Sequence, residues 1–250
     1  MDLPGSDADV RLFEEALAQN PVTPVNLRKA LADADASLFK RFKDGDSATR
    51  LVRVRAELVD RLILALWQVH GLDSAAGLAL VAVAGYGRGD LNPHSDVDIL
   101  VLLEGEPNDS DAAALSSFMT DLWDVGLEVG HSVRTVAQCR DEARKDLTVA
   151  TSLMESRLLH GPDALYDAMN EAMSTGQIWP SAEFFAEKRK EQIARHHRYD
   201  DTAYKLEPNV KGSPGGLRDI QMIGCCSTIK PNLPPSSATR TQPIRSRSSN

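Results

Sequence analysis

The sequence predicts an α+β protein: a small mixed β-sheet with helices, followed by a helical domain and a disordered C-terminal tail. Three observations lead to this fold class. Apolar side chains recur at helical spacing before about residue 70, two short apolar runs follow, and helical spacing returns after about residue 135. At 250 residues, of which 42% are hydrophobic, the chain can bury one large core or two small ones.

The N-terminal part is predicted to be helical. Segments 8–19 and 25–43 have helical spacing and are separated by two prolines. We assign residues 1–72 to this region. Segment 51–69 is longer and amphipathic, with one apolar stripe formed by Leu51, Val54, Leu58, Leu62, Ala65, Leu66 and Val69.

The predicted sheet lies at 73–145. Residues 80–84 are rich in β-branched side chains and end at a glycine cluster, and 96–103 is apolar on both faces, as in the centre of a sheet. A helix at 111–124 separates these strands from a third at 126–133. The order strand, turn, strand, helix, strand gives a small mixed sheet backed by helices.

Residues 146–224 are predicted to form a helical domain with a structured loop at 205–221, which contains two prolines and three glycines. The tail at 225–250 has four prolines, four cations and no acid, so we expect it to be disordered. Helical spacing after the sheet covers four segments: 136–146, 148–159, 163–174 and 182–199.

Charge and composition exclude several classes of protein. A net charge of −8 argues against electrostatic capture of nucleic acid or an anionic membrane. No secretory signal begins the chain, and no apolar run approaches the roughly 18–20 residues that span a bilayer. Three cysteines, two of them adjacent, give neither a disulfide framework nor a zinc spacing. We therefore expect a cytoplasmic protein with no nucleic-acid or membrane partner.

Two acids at alternate positions suggest a metal site. Strand side chains alternate, so Asp96 and Asp98 project from one face with Cα atoms about 6.5–7 Å apart. Like charges that close repel one another unless a cation neutralises them. Magnesium (Mg²⁺) prefers carboxylate and phosphate oxygens, and such a pair can hold two ions for in-line attack on a phosphoryl group.

The glycines before these acids suggest a phosphate-binding turn. After the strand at 80–84 the chain must turn sharply, and Gly85 and Gly87 allow backbone N–H groups to approach a phosphate. Arg88 and Ser95 are placed to add further donors. Gly-x-Gly alone is more often a plain turn, and Asp-x-Asp alone an edge strand or calcium-loop fragment. With apolar strands flanking both, the two together favour nucleotide chemistry.

A third carboxylate is expected at Glu128. In a strand at 126–133 it shares a face with Gly130 and Ser132, and a charged residue on a central strand needs a reason. Metal coordination, or activation of an acceptor hydroxyl as a general base, would supply one. The pattern is neither a Walker loop, since no Gly-Lys-Ser/Thr follows, nor a dinucleotide fingerprint.

These motifs resemble a known family. The runs GYGRGDL at 85–91 and SDVDIL at 95–100 resemble the signature of the DNA polymerase β-type nucleotidyltransferase superfamily. The runs GLEVGHSVRT at 126–135 and KLEPNVKGSPGGLRDIQ at 205–221 look like those of the bacterial PII uridylyltransferase/uridylyl-removing enzymes. The resemblance covers roughly residues 10–223.

The resemblance implies transfer of UMP from UTP to a tyrosine of the PII signal protein, with magnesium. Gly85 and Gly87 match the triphosphate turn, Asp96 and Asp98 match the metal ligands, and Glu128 stands where the third carboxylate is expected. The loop at 205–221 carries three cations: Lys205, Lys211 and Arg218. They could close over the nucleotide or order the helical domain beside the loop, and a purely structural loop is the alternative.

Family members continue into a phosphohydrolase domain with a His-Asp doublet, and this chain contains no such doublet. The likeness stops after Ile223, so we expect a truncated form without the uridylyl-removing and glutamine-sensing domains. Two alternatives stay open. One is another small transferase of the polymerase β type, such as an antibiotic-modifying enzyme, and the other is an inactive remnant that binds PII or nucleotide.

Overall fold

A computed structural model describes residues 6–174, 178–199 and 209–228. The chain divides into two compact units, residues 1–178 and 179–250, and each is described by itself. Lys205 lies outside the described residues. The domain limits at 72, 145 and 224 stay predictions, although the fourth strand of the sheet lies beyond residue 145.

The first unit contains eight helices and four strands among its described residues. Their bounds are α1 Ser6–Gln19, α2 Pro24–Lys43, α3 Ala48–Val69, β1 Leu78–Ala82, α4 Ala84–Gly87, β2 Val97–Leu103, α5 Asp109–Val125, β3 Val129–Thr135, α6 Val136–Lys145, α7 Leu147–Met154, β4 Arg157–His160 and α8 Asp163–Ala172.

Helices α1, α2, α3 and α5 pack against one another and share one hydrophobic core with one face of the sheet. Helix α2 begins where Thr23 accepts a hydrogen bond from the Asn26 N–H (3.3 Å), with Pro24 at its first position. Helix α3 is the most deeply buried, because its apolar stripe faces the sheet. The strand residues facing this helical layer alternate along each strand: Leu78, Leu80 and Ala82 on β1, and Val97, Ile99, Val101 and Leu103 on β2.

The four strands form one mixed sheet in the order β3-β2-β1-β4. Strand β1 is antiparallel to both β2 and β4, while β2 and β3 run parallel. Val81 pairs with Leu100 and Ala82 with Ile99. The start of β2 therefore lies beside the end of β1, where the glycine-rich turn follows.

Two sequence expectations about the sheet are wrong. The helix at 148–159 ends earlier, since α7 stops at Met154 and β4 follows at Arg157–His160. Four residues are too few to show a period, and their pairing with β1 decides their conformation. The third strand begins at Val129 rather than 126 and is an edge strand, so Glu128 is not on a central strand.

The second unit contains helices α9 (Ser181–His197) and α10 (Leu217–Thr228). Residues 225–228 of the expected disordered tail belong to α10, and 229–250 lie outside the described residues. None of the described helices combines the length and apolar character needed to cross a bilayer.

One carboxylate organises the second unit. Asp219 in α10 accepts hydrogen bonds from Gln192 (3.0 Å), His196 (3.0 Å) and Arg195 on α9. The Gly215 N–H also donates to it (2.8 Å) and so ties down the loop before α10. Burial would raise the pKa of Asp219, but these hydrogen bonds lower it to about 2.

We expect the second unit to lose stability in acid through Asp219. Its pKa is about 2 in the folded chain against an ordinary 3.8, so its contribution is complete above about pH 4 and disappears towards pH 2. The contribution is about 2 kcal/mol. The rate of amide hydrogen exchange at residues 209–216 in the full chain measures this contribution to stability. Asp219→Asn should speed exchange at pH 7, and the exposed-site control Asp33→Asn should not; equal exchange in both would contradict the assignment.

Candidate active site

The glycine-rich turn begins beside the second acid. The Val83 N–H, just after β1, donates to the Asp98 carbonyl oxygen (3.0 Å), and the Gly87 N–H donates to the Val83 carbonyl (2.9 Å). Residues 84–87 form one helical turn, α4, where the sequence predicted a tight turn. Because the β1–β2 ladder extends to this bond, the turn and the acids lie at the same end of the sheet.

The two glycines of α4 differ in their surroundings. A Cβ on Gly87 would overlap the Glu155 carbonyl oxygen and lie 2.9 Å from that of Ala82. A Cβ on Gly85 would meet only Arg88 Nη2 at 3.6 Å and the Asp90 carbonyl oxygen at 3.8 Å, which are ordinary contacts. Packing therefore accounts for glycine at 87, whereas the protein leaves room for a side chain at 85.

The two acids stand at the start of β2. Asp98 is half-buried, and Asp96, directly before the strand, is exposed. By strand alternation both point away from the core-facing residues Val97 and Ile99. Burial, and second the negative charge of Asp96, raise the pKa of Asp98. A divalent cation, whose preferred ligands are carboxylate oxygens, would remove this repulsion, so the pair fits such an ion.

Gly130 provides the space for the Asp98 carboxylate. It pairs with Asp98 in the parallel β2–β3 ladder, and a Cβ built on it would overlap Oδ1 of Asp98. The sequence placed Gly130 on the same face as Glu128 but gave it no role. Its role depends on strand register, which the sequence alone does not define.

Glu128 lies next to this pair without completing a cluster. It is exposed, precedes β3, and its carbonyl oxygen accepts from the Val97 N–H (2.8 Å), which places it beside Asp96 in the ladder. Within the described ranges, no three His, Cys, Asp or Glu side chains gather closely enough to hold a metal ion. Glu128 as a third ligand or base stays a prediction.

The other candidate residues are distributed over both units. Arg88 follows the turn, and its guanidinium pairs with the Glu155 carboxylate and lies 3.6 Å from that of Asp90. Ser95 is half-buried directly before Asp96. Lys211 and Arg218 are exposed in the second unit, where the Arg218 N–H donates to the Lys211 carbonyl (3.0 Å). Their nucleotide contacts stay predictions.

Gly130→Ala is expected to impair a reaction that depends on the Asp98 carboxylate more than it impairs stability. The new Cβ displaces the end of a flexible side chain, Asp98, rather than backbone, so the fold adjusts at small cost. A displacement of about 1 Å at a reacting centre lowers rates about 100-fold. Steady-state rates and thermal unfolding of the variant measure both effects. Unchanged rates would show that the position of the Asp98 carboxylate does not matter.

Two family models match the chain. The model described as "Nucleotidyltransferase domain" matches residues 73–159, which contain the sheet except its last residue, the glycine turn and both acids. The model described as "GlnD PII-uridylyltransferase" matches residues 183–233, which include most of α9 and all of α10. By these matches the chain is similar to nucleotidyltransferase domains in its central part and to GlnD PII-uridylyltransferases in its C-terminal part. Nucleotidyltransferase domains generally use divalent metal ions.

Similar full-length proteins carry the name "Bifunctional uridylyltransferase/uridylyl-removing enzyme". Those of Pseudomonas putida W619, Stutzerimonas stutzeri A1501 and Pseudomonas fluorescens SBW25 are 52%, 51% and 50% identical over 210 residues. The aligned segment is 84% of this chain and 23% of each relative, so the chain spans about a quarter of the length of the curated relatives, matching their N-terminal part.

Proposed function

We propose that this chain transfers UMP from UTP to a tyrosine hydroxyl of the PII signal protein. The observation that carries the proposal is the hydrogen bond between Val83 and Asp98, because it brings the glycine turn and the acid pair to one end of the sheet. The identity to enzymes named as uridylyltransferases supports UTP and PII as substrates.

The chain's own groups suit a triphosphate. Gly85 carries no side chain, and an added Cβ would make only ordinary contacts, so there is room for a phosphate to approach the backbone of the turn beside Arg88. Arg88 lies beside Gly85 and is already held by Glu155. Ser95 and the second-unit cations at 205, 211 and 218 are proposed as further nucleotide contacts.

Asp96 and Asp98 would hold the divalent cation, which we propose to be Mg²⁺. When bound, it neutralises charge on the phosphates and on the acid pair. Glu128, exposed beside Asp96, is proposed as the third carboxylate, either as a ligand or as the base that accepts the phenolic proton.

The transfer exchanges one phosphorus–oxygen bond for another. The tyrosine oxygen forms a bond to the α-phosphorus of UTP as the bond from that phosphorus to the bridging oxygen breaks, and pyrophosphate leaves with the electron pair. The phenolic proton passes to a base. We also propose a cytoplasmic location, because the spacing of the three cysteines gives no disulfide framework.

The test is label transfer by the purified 250-residue chain. Labelled UTP and PII should give labelled PII, whereas ATP with an aminoglycoside acceptor should give no product. The double variant Asp96→Ala/Asp98→Ala should give none in either mixture. Labelling by ATP alone would favour a different small transferase. UTP binding without labelling of PII would indicate an inactive protein that only binds nucleotide. Equal labelling by the double variant and the wild-type chain would eliminate the proposed metal site.

A further inference from the structure

A buried phenol lies at the centre of the glycine turn. Tyr86 stands between Gly85 and Gly87 in α4, and only 1% of its surface is exposed. Its hydroxyl donates a hydrogen bond of 2.5 Å to Oδ1 of Asp60, which is on helix α3 in the layer behind the sheet. The side chain of Tyr86 therefore points into the protein rather than towards solvent.

The same carboxylate binds an arginine from the far edge of the sheet. Arg157, at the start of β4, donates from both terminal nitrogens to Asp60, at 2.8 Å and 3.1 Å. Its guanidinium carbon lies 5.7 Å from the centre of the Tyr86 ring. The three side chains thus join α3, the turn and β4 in one network, which we call the Asp60 network.

Two members of the Asp60 network keep their protons over a wide pH range. Burial, and second the charge of Asp60, raise the pKa of Tyr86 well above its ordinary value, so the phenol remains a donor. Burial opposes the charge on Arg157, but its hydrogen bonds to Asp60 raise the pKa of the guanidinium. Both side chains therefore remain donors to Asp60 at neutral pH.

The network adds a side-chain anchor to the middle of the turn, beside the backbone hydrogen bonds from Gly89 to Tyr86 and from Asp90 to Gly85. The Val83–Asp98 hydrogen bond fixes the start of the turn, and the contact of Gly87 with Glu155 fixes its end. A phenylalanine at 86 would bury the same ring area, so the hydroxyl is not needed for apolar packing. A buried hydroxyl and a partly buried ion pair are costly to desolvate, and they contribute conformational specificity when their geometry is satisfied.

We propose that Asp60, Tyr86 and Arg157 are positioning residues that hold the turn at Gly85 and Gly87 in the conformation that receives the triphosphate. This inference rests on the proposed function, since it assumes that the turn binds a nucleotide. The hydrogen bonds described for these three side chains involve neither Asp96 nor Asp98, so we expect loss of the network to act on nucleotide affinity and not on the chemical step.

The test is equilibrium binding of UTP to the full chain in the presence of Mg²⁺. Tyr86→Phe removes only the hydroxyl and leaves Asp60 with one donor fewer, and we expect the dissociation constant to rise about 10-fold. Tyr166→Phe is the matched control. It also removes one phenolic hydroxyl: Tyr166, on α8, donates to the carbonyl oxygen of Ser156, directly before β4 (2.9 Å). This variant should change the dissociation constant for UTP less than about two-fold.

A second variant covers the case in which Tyr86→Phe does not fold. Arg157→Lys keeps the positive charge of a partly exposed residue but loses the two-pronged contact, and it should weaken UTP binding about 5-fold. In turnover assays both variants should raise KM for UTP and leave KM for the acceptor protein unchanged.

The outcomes separate this inference from the proposed function. A wild-type chain that binds no UTP overturns both. If the wild-type chain binds UTP and Tyr86→Phe binds it with equal affinity, only the positioning role is overturned. If Tyr86→Phe is unfolded, equal affinity in Arg157→Lys has the same meaning. A loss of the same size in Tyr166→Phe also overturns it, because the effect would then follow from any lost phenol in this region.

Discussion

Asp98→Asn is expected to lower the rate of nucleotide transfer at least about 100-fold without loss of the fold. A carboxylate that holds a divalent cation contributes several kcal/mol to the transition state, and every 1.4 kcal/mol is about ten-fold in rate. Burial and the charge of Asp96 raise the pKa of Asp98, so the ionised group destabilises the folded chain at neutral pH. The amide has the same shape and no such penalty, and the midpoint of thermal unfolding should stay equal or rise.

The exposed Asp124 on α5 offers a control of equal charge change. Asp124→Asn should leave both the transfer rate and the unfolding midpoint unchanged. Transfer by Asp98→Asn at the wild-type rate would mean that this carboxylate does not bind the cation. A large fall in its unfolding midpoint would mean that Asp98 acts in folding rather than in catalysis.

Gly87→Ala is expected to have the largest effect on stability of any single methyl addition in the turn. The new Cβ overlaps the backbone carbonyl oxygen of Glu155, and neither backbone can move without disturbing β1 or β4. Overpacking of this kind costs about 3 kcal/mol. Urea denaturation of the full chain measures the loss. An unfolding free energy within about 0.5 kcal/mol of wild type would contradict the close approach of the two segments.

Gly85→Ala is the matched comparison, two positions away in the same turn. Its Cβ makes only ordinary contacts, so the unfolding free energy should change by less than about 1 kcal/mol. The methyl group would point into the space proposed for phosphate, and UTP binding should weaken about 10-fold or more. A different outcome is a Gly85→Ala variant that is strongly destabilised but binds UTP with wild-type affinity at a low temperature where it is folded. Packing rather than ligand approach would then explain the glycine at this position.

The sequence predicted the parts of the fold that depend on local pattern. The α+β class is confirmed; the long helices follow from periodicity over many residues, and the two inner strands follow from short runs of apolar side chains. The short strand β4 could not be recognised, because its four residues are half-buried on both faces and carry no alternation. Its place at the edge of the sheet results from pairing with β1, which is a non-local interaction.

The candidate site shows the same division. Gly85, Gly87, Asp96 and Asp98 form a pattern within fourteen residues, and their spacing alone predicted nucleotide chemistry. The Asp60 network could not be found in this way, since its three members are far apart in sequence. The pairing of Gly130 with Asp98 likewise depends on a parallel register between strands joined through α5. No short motif contains either relationship.

The antiparallel pairing of β1 and β2 sets the distance between the turn at 84–87 and the acids Asp96 and Asp98. The length of the segment that connects the two strands does not set it. The exposed stretch at 92–94 can lengthen or shorten at the surface, while five consecutive residue pairs keep both ends where they are. A slip of β2 by a single position is different, because it would rotate both carboxylates into the hydrophobic interior. Divergent copies of this domain should therefore tolerate insertions in that segment far better than any insertion within β2.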